Sequence, residues 1–247
     1  MNIKQYLDST YLKLPEQAGL TFEANQKIVV DCIQEAIDES FKLIMIRPDC
    51  VQLARTMIDN ANSKVAVGTV IGFHEGTATL EEKLAEANQA IQNGADELDF
   101  VCNYTAFKEG AVELVKNEVL EGTRLGLAHH KIVKWIIEVA ALTDDEIIRL
   151  STLIKNVVMA NFKENCYSSV FVKSSTGFFP TEGGKPNGAT VPTIIMMLEN
   201  SSPLPVKAAG GVRSYEEAVE MIKLGVKRIG TSSAKAIANG AKAASDY

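Results

Sequence analysis

The sequence predicts a single-domain α/β fold, a (β/α)8 TIM barrel spanning residues 1–247. Three observations carry that expectation. Short apolar runs alternate with helix-length segments along the whole chain, the runs number eight, and 247 residues with 46% apolar content suit one barrel. A doubly wound open sheet would generate the same alternation; the strand count and the length favour closure.

The elements follow in order. "YLDSTYL" (6–12) is a short first strand, and "TFEANQKIVVDCIQEAIDES" (21–40) is the helix that returns from it. "KLIMIRP" (42–48), "KVAVGTVIGF" (64–73), "ELDFVCNY" (97–104) and "IVKWIIEV" (132–139) read as the next four strands, buried and parallel because their apolar runs are nearly continuous. "SVFVKSS" (169–175), "PVKAAGG" (205–211) and "KRIGTSS" (227–233) complete the eight. The intervening segments "TLEEKLAEANQAIQNG" (79–94), "TDDEIIRLSTLIKNVVMANF" (143–162) and "SYEEAVEMIKLG" (214–225) open on Ser or Thr with acidic residues in the first turn, the signature of a helix start. No Pro-, Gly- or Ser-rich linker splits the chain. The small-residue tail, from about residue 240 to 247, is expected to be flexible.

Composition excludes several functions. The net charge is −6 and the basic residues are scattered, so no track for a nucleic-acid backbone is expected. No apolar run approaches the ~20 residues of a membrane span, and the N-terminus lacks a signal-peptide core. Cys32, Cys50, Cys102 and Cys166 lie far apart without a CxxC pair, which speaks against zinc and disulfides and for reduced thiols in a cytoplasmic protein. A small-molecule partner is expected, and a homodimer, since C2 dimers are the commonest homo-oligomers.

In a barrel, the C-terminal ends of the strands form the active face. Asp99, Lys173 and Lys207 are charged residues embedded in apolar strands, and buried charges are usually paired or functional. Asp99 with one lysine would make a structural ion pair; two lysines against one carboxylate leave a cation unmatched. Lys173 and Lys207 are one strand–helix–strand unit apart, hence on neighbouring strands. A second cation and partial desolvation both favour a neutral amine, which is suited to imine formation with a carbonyl substrate and needs no metal or other cofactor.

Clusters of glycine and hydroxyl residues follow the last three strands: "SSTG" with Thr176 and Gly177, "AGG" with Gly210 and Gly211, and "GTSS" with Ser232 and Ser233. Each alone reads as a turn with a helix cap; together they read as a phosphate site. Asp8 enters the site from the first strand or serves a local turn. Lys134 faces the cavity or lays its stem against the rim, and its parity with Glu138 suggests a Lys134–Glu138 network. His129 and His130 fall on the opposite face.

The strings "FVKSSTGF", "VKAAGGVRSYEEA", "GVKRIGTSS", "ELDFVCNY" and "VIGFHEG" resemble, in order from about Asp8 to Ser233, the strand motifs of deoxyribose-phosphate aldolases. The resemblance implies a class I aldolase that reversibly cleaves 2-deoxy-D-ribose 5-phosphate to acetaldehyde and D-glyceraldehyde 3-phosphate. It places the Schiff base on Lys173, the second lysine at Lys207 and the acidic partner at Asp99. It also draws attention to the terminal Tyr247 as a proton donor, against the simpler reading of an inert tail. This chain departs from the family pattern at Ser174, where threonine is common, at His74, at Arg47 and in the long 178–190 segment. Another lysine-dependent aldolase or transaldolase, or a non-catalytic sugar-phosphate binder, are the alternatives.

Overall fold

In the computed structural model, which describes residues 1–240, eight parallel strands close into a barrel in sequence order. The strands are β1 Leu7–Thr10, β2 Leu43–Ile46, β3 Ala66–Ile71, β4 Glu97–Val101, β5 Ile132–Ile136, β6 Val170–Lys173, β7 Val206–Ala209 and β8 Arg228–Thr231. β1 closes the ring on β8, with Asp8 opposite Gly230. Each strand lies inside the run that the sequence marked for it. The fourth is shorter than expected because Asn103 accepts the Ala106 amide and turns the chain into a helix instead of extending it.

Ten helices lie among the described residues: α1 Pro15–Ala18, α2 Phe22–Glu39, α3 Val51–Asn60, α4 Leu80–Gln92, α5 Tyr104–Lys108, α6 Val112–Ala128, α7 Asp144–Asn161, α8 Val191–Ser201, α9 Tyr215–Leu224 and α10 Ala234–Ala238. Their starts follow the sequence signals. Thr79, Thr143 and Ser214 each accept the amide three residues on, while Glu82, Glu146 and Glu217 reach back, forming reciprocal capping boxes.

Strand parity divides the interior. Outward residues such as Val67, Leu98, Phe100, Val133 and Trp135 pack beneath the helices in the main core. Trp135 stacks on Phe100 at 4.9 Å and donates to Thr123 at 2.9 Å. A Cβ at Gly122 would stand 2.8 Å from the indole, so α6 reaches the sheet only because that residue is glycine. Inside the barrel, Leu43, Met45 and Val70 on β2 and β3 form an apolar cluster with Leu12. On β1 and β4–β8, the buried residues include Asp8, Glu97, Asp99, Lys134, Lys173, Lys207 and Arg228. Half of the barrel interior is therefore a charge cluster, and its chemistry is concentrated there.

Candidate active site

Lys173 is the last residue of β6 and pairs in register with Lys207 on β7. Neighbouring parallel strands at the same register point their side chains to the same face, so the two amines converge. Both reach the same atom: Lys173 Nζ and Lys207 Nζ each donate to Asp99 Oδ2 at 2.9 Å. The other oxygen, Asp99 Oδ1, accepts from Lys134 at 2.5 Å. Asp99 is fully buried, and burial alone would raise its pKa; Lys134, Lys173 and Lys207 outweigh that and hold the carboxyl well below its ordinary range.

The count of two lysines against one carboxylate is incomplete, because further carboxylates enter from other strands. Lys207 has Asp8 Oδ2 at 2.6 Å as an ion-pair contact, which places Asp8 in the buried cluster and not in a local turn. Burial raises the Asp8 carboxyl, but Arg228, Lys207 and Lys134 bring it below the usual value. Lys134 is buried inside the barrel, 2.6 Å from Glu97, so its amine does not reach solvent at the rim. Gly230 makes room for Lys207: a Cβ there would lie 3.0 Å from the Lys207 Cε.

Lys173 differs from the other lysines. It lines an open cavity of about 300 Å3, and its amine is brought down to about 8 by desolvation, with Lys207 and Lys134 adding to that effect against the attraction of Asp99. Lys134 moves the opposite way: burial lowers it, but Asp99, Glu97 and Asp8 raise it further. The buried cluster thus holds one amine that loses its proton readily and one that keeps it.

The cavity sits at the ends of β6, β7, β8 and β1. Thr176, Gly177, Gly210, Gly211 and Ser232 line it; Ser233 does not. Ser233, beside Ser232 in sequence, is buried and gives its amide to Thr231 Oγ1 at 3.0 Å. Gly211 has φ +88°, and a Cβ there would meet nothing within 4 Å, which leaves open space on the cavity side.

The expected Lys134–Glu138 network is also absent. β5 ends at Ile136, and Glu138 adopts φ +56°, which breaks the strand parity on which that pairing rested. Its carboxylate instead accepts Ser175 Oγ at 2.6 Å, the Thr176 amide at 3.1 Å and the Thr176 hydroxyl, fixing the turn after β6. Burial raises the pKa of the Glu138 carboxyl. The long 178–190 segment is tied to that same turn: Asn187 donates its side-chain amide to Gly177 O at 3.2 Å, and its carbonyl accepts from Ser175 Oγ at 2.6 Å.

Other wall residues carried no sequence signal. Lys13 and Arg213 bring two more cations to the cavity from loops, where no periodicity exposes them. Glu97 and Arg228 belong to the buried cluster, although nothing but their inward parity with Asp99 and Gly230 distinguishes them. Arg47 stands at the mouth, donating to Leu12 O at 2.7 Å and lying 4.8 Å above the Phe73 ring. Tyr247 lies outside the described residues. Among the described residues, no group of three or more His, Cys, Asp or Glu side chains is arranged to hold a metal, and no helix is long and apolar enough to cross a membrane.

Known proteins share this layout. A sequence model described as DeoC/LacD family aldolase matches residues 18–243. The chain is 38% identical over 240 residues to the deoxyribose-phosphate aldolase of Thermococcus kodakarensis, covering 97% of this chain and 96% of that one. It is 37% identical over 248 residues to the enzyme of the same name from Streptococcus suis, covering 100% of both. The solved structure of a tetrameric deoxyribose phosphate aldolase from Aeropyrum pernix superposes with a TM-score of 0.74 at 29% identity, over 96% of this chain and 89% of that one. A full-length match in sequence, a matching barrel and a lysine of lowered basicity at the mouth agree: the chain belongs to the DeoC/LacD family of aldolases.

Proposed function

We propose that this aldolase cleaves 2-deoxy-D-ribose 5-phosphate reversibly to acetaldehyde and D-glyceraldehyde 3-phosphate through a Schiff base on Lys173. The observation that carries the reading is the position of Lys173: the amine lowered to about 8 is the one that opens on the cavity. At pH 7 an amine of that basicity is neutral in about a tenth of molecules, against roughly one in 2,500 for an ordinary lysine.

The neutral amine attacks the open-chain aldehyde carbon, and loss of water from the carbinolamine leaves an iminium. Removal of the proton on the C3 hydroxyl breaks the C2–C3 bond, and the electron pair moves into the iminium to give an enamine. Glyceraldehyde 3-phosphate departs, the enamine carbon takes a proton, and hydrolysis frees acetaldehyde and the lysine. No metal or other cofactor enters these steps. Asp99, held well below its normal range, is a weak base, so its part is to keep Lys173 and Lys207 on one oxygen while Lys207 relays protons. The protonation of the enamine carbon is assigned to the phenol of Tyr247.

The phosphate is assigned to the rim formed by Thr176, Gly177, Gly210, Gly211 and Ser232, with Lys13 and Arg213 adding positive charge beside it. The relatives' names support deoxyribose phosphate as the sugar. The whole chain, 1–247, is read as one domain that assembles as a homodimer. Four free thiols fit a cytoplasmic setting.

The test is a cleavage assay on deoxyribose phosphate, with glyceraldehyde 3-phosphate measured by a coupled dehydrogenase. Turnover is expected, and it is expected to be lost irreversibly when borohydride and acetaldehyde are added together. Turnover that survives both reagents would contradict the imine.

A further inference from the structure

The charges inside the barrel form a closed ring. Asp8 meets Lys207 at 2.6 Å, Lys207 meets Asp99 at 2.9 Å, and Asp99 meets Lys134 at 2.5 Å. Lys134 meets Glu97 at 2.6 Å, Glu97 meets Arg228 at 2.9 Å, and Arg228 returns to Asp8 at 2.6 Å. Three carboxylates alternate with three cations, drawn from β1, β4, β5, β7 and β8. The ring is neutral without Lys173, which hangs from it by its contact with Asp99 alone.

We propose that Glu97 and Arg228, which do not line the cavity, are positioning residues that set the protonation of Lys173 from within the ring: the Arg228 cation disfavours the Lys173 ammonium, the Glu97 anion favours it, and together they keep the ring neutral, with Lys173 as its surplus amine. The argument is one of charge balance in a desolvated site. A buried cluster with equal numbers of positive and negative charges resists an added charge, because that charge is desolvated without a carboxylate of its own. The ammonium of Lys173 is that added charge. Arg228 is suited to its place because guanidinium remains protonated throughout the working pH range, and it binds Glu97 through two parallel hydrogen bonds, at 2.9 and 3.0 Å. Asp8 and Glu97 pull it still further from deprotonation.

The groups facing Lys173 are Asp99 from β4, Lys134 from β5, Glu138 beyond β5 and Lys207 from β7, with Asp8 behind Lys207 and the cavity cations Lys13 and Arg213 in front. Only Glu97 and Arg228 alter the charge count of the ring without touching Lys173, the cavity wall or the proposed proton path.

The proposal rests on Lys173 reacting as a neutral amine, and its test needs no sugar substrate, so its failure is separate from failure of the cleavage reaction. Trace acetic anhydride is applied across a pH series, and acetylation of Lys173 is counted by peptide mass spectrometry against an added simple amine. Arg228→Met removes a ring cation and is expected to move the Lys173 titration to higher pH by roughly half to one unit. Glu97→Gln removes an anion and is expected to move it to lower pH by a similar amount. The double variant restores balance and is expected to return to the wild-type midpoint, as is Arg228→Lys, which keeps the charge but loses the fork. Shifts of the same sign in both single variants, no shift in either, or an Arg228→Lys protein that titrates like Arg228→Met would overturn the proposal. A thermal melt identifies any variant that fails to fold. If Arg228→Met fails, Glu97→Gln decides alone, and anything other than a downward shift overturns the assignment.

Discussion

Lys173 and Lys207 donate to the same oxygen, Asp99 Oδ2, each at 2.9 Å, yet only Lys173 opens on the cavity. One lysine is exposed to a reacting carbonyl and the other is held behind it with Asp8. Division of labour between the two amines follows from their positions on adjacent strands, before any difference in basicity is considered.

Lys207→Leu tests that division. Removing the neighbouring cation makes protonation of Lys173 easier and leaves Asp99 more available to it, so its pKa rises from about 8. The neutral fraction then appears only at higher pH, and the rising limb of imine formation moves upward by about one unit. Borohydride trapping of acetaldehyde at pH 7 falls about tenfold as a result. A pH series of trapping rates on folded protein measures it; an unmoved limb would show that Lys207 does not tune the nucleophile.

Ser232→Glu and Ser233→Glu separate the phosphate rim from the fold. Ser232 is exposed on the cavity wall, so a carboxylate there repels the phosphate with little disturbance to packing. The KM for deoxyribose phosphate rises about tenfold or more, while that for unphosphorylated deoxyribose changes less than about twofold, since only one substrate carries the charge. Ser233 is buried behind it, and Ser233→Glu instead lowers the melting temperature. Equal effects of Ser232→Glu on both substrates would remove the phosphate from this rim.

Lys83→Met concerns the scaffold beside the site. Lys83, on α4, is fully buried and donates to Gly76 O and Val101 O, each at 2.7 Å, and to the Glu118 carboxylate. It thereby ties the loop after β3 to the end of β4 and to α6. Removing one partner of a buried pair leaves the other charge uncompensated, a loss of about 3–5 kcal/mol. Urea unfolding is expected to report that loss, and Lys83→Met/Glu118→Leu is expected to recover about half of it, since Asn103 keeps an amide that Glu118 satisfied at 2.9 Å.

The fold was legible in the sequence because a parallel barrel writes itself in apolar runs of nearly fixed spacing, and the helix starts were legible because Thr79, Thr143 and Ser214 are followed by Glu at the third position. Lys173, Lys207 and Asp99 stood out as charges flanked by apolar neighbours. Glu97 and Arg228 carry charge in the same strands but sit at strand starts, where a charged residue ordinarily meets solvent, so nothing local separates a ring member from a surface residue. Glu138 shares the parity of Lys134 only if the strand continues, and its left-handed backbone ends that count. Lys13, Asn187 and Arg213 reach the cavity from irregular loops, whose paths are set by tertiary contacts such as the Asn187–Gly177 bond. Ser232 and Ser233 look equivalent in sequence, yet Ser232 lines the cavity while Ser233 is buried.

The identity of the reacting amine is tested most directly by reducing the enzyme with borohydride in the presence of acetaldehyde and mapping the ethylated lysine by peptide mass spectrometry. With Lys173 on the cavity, Lys207 behind it and Lys134 enclosed by Asp99 and Glu97, the adduct is expected on Lys173 alone, at one per chain, with loss of cleavage in proportion. An adduct on Lys207 or Lys134 with Lys173 unmodified, or complete modification of Lys173 with cleavage intact, would contradict it.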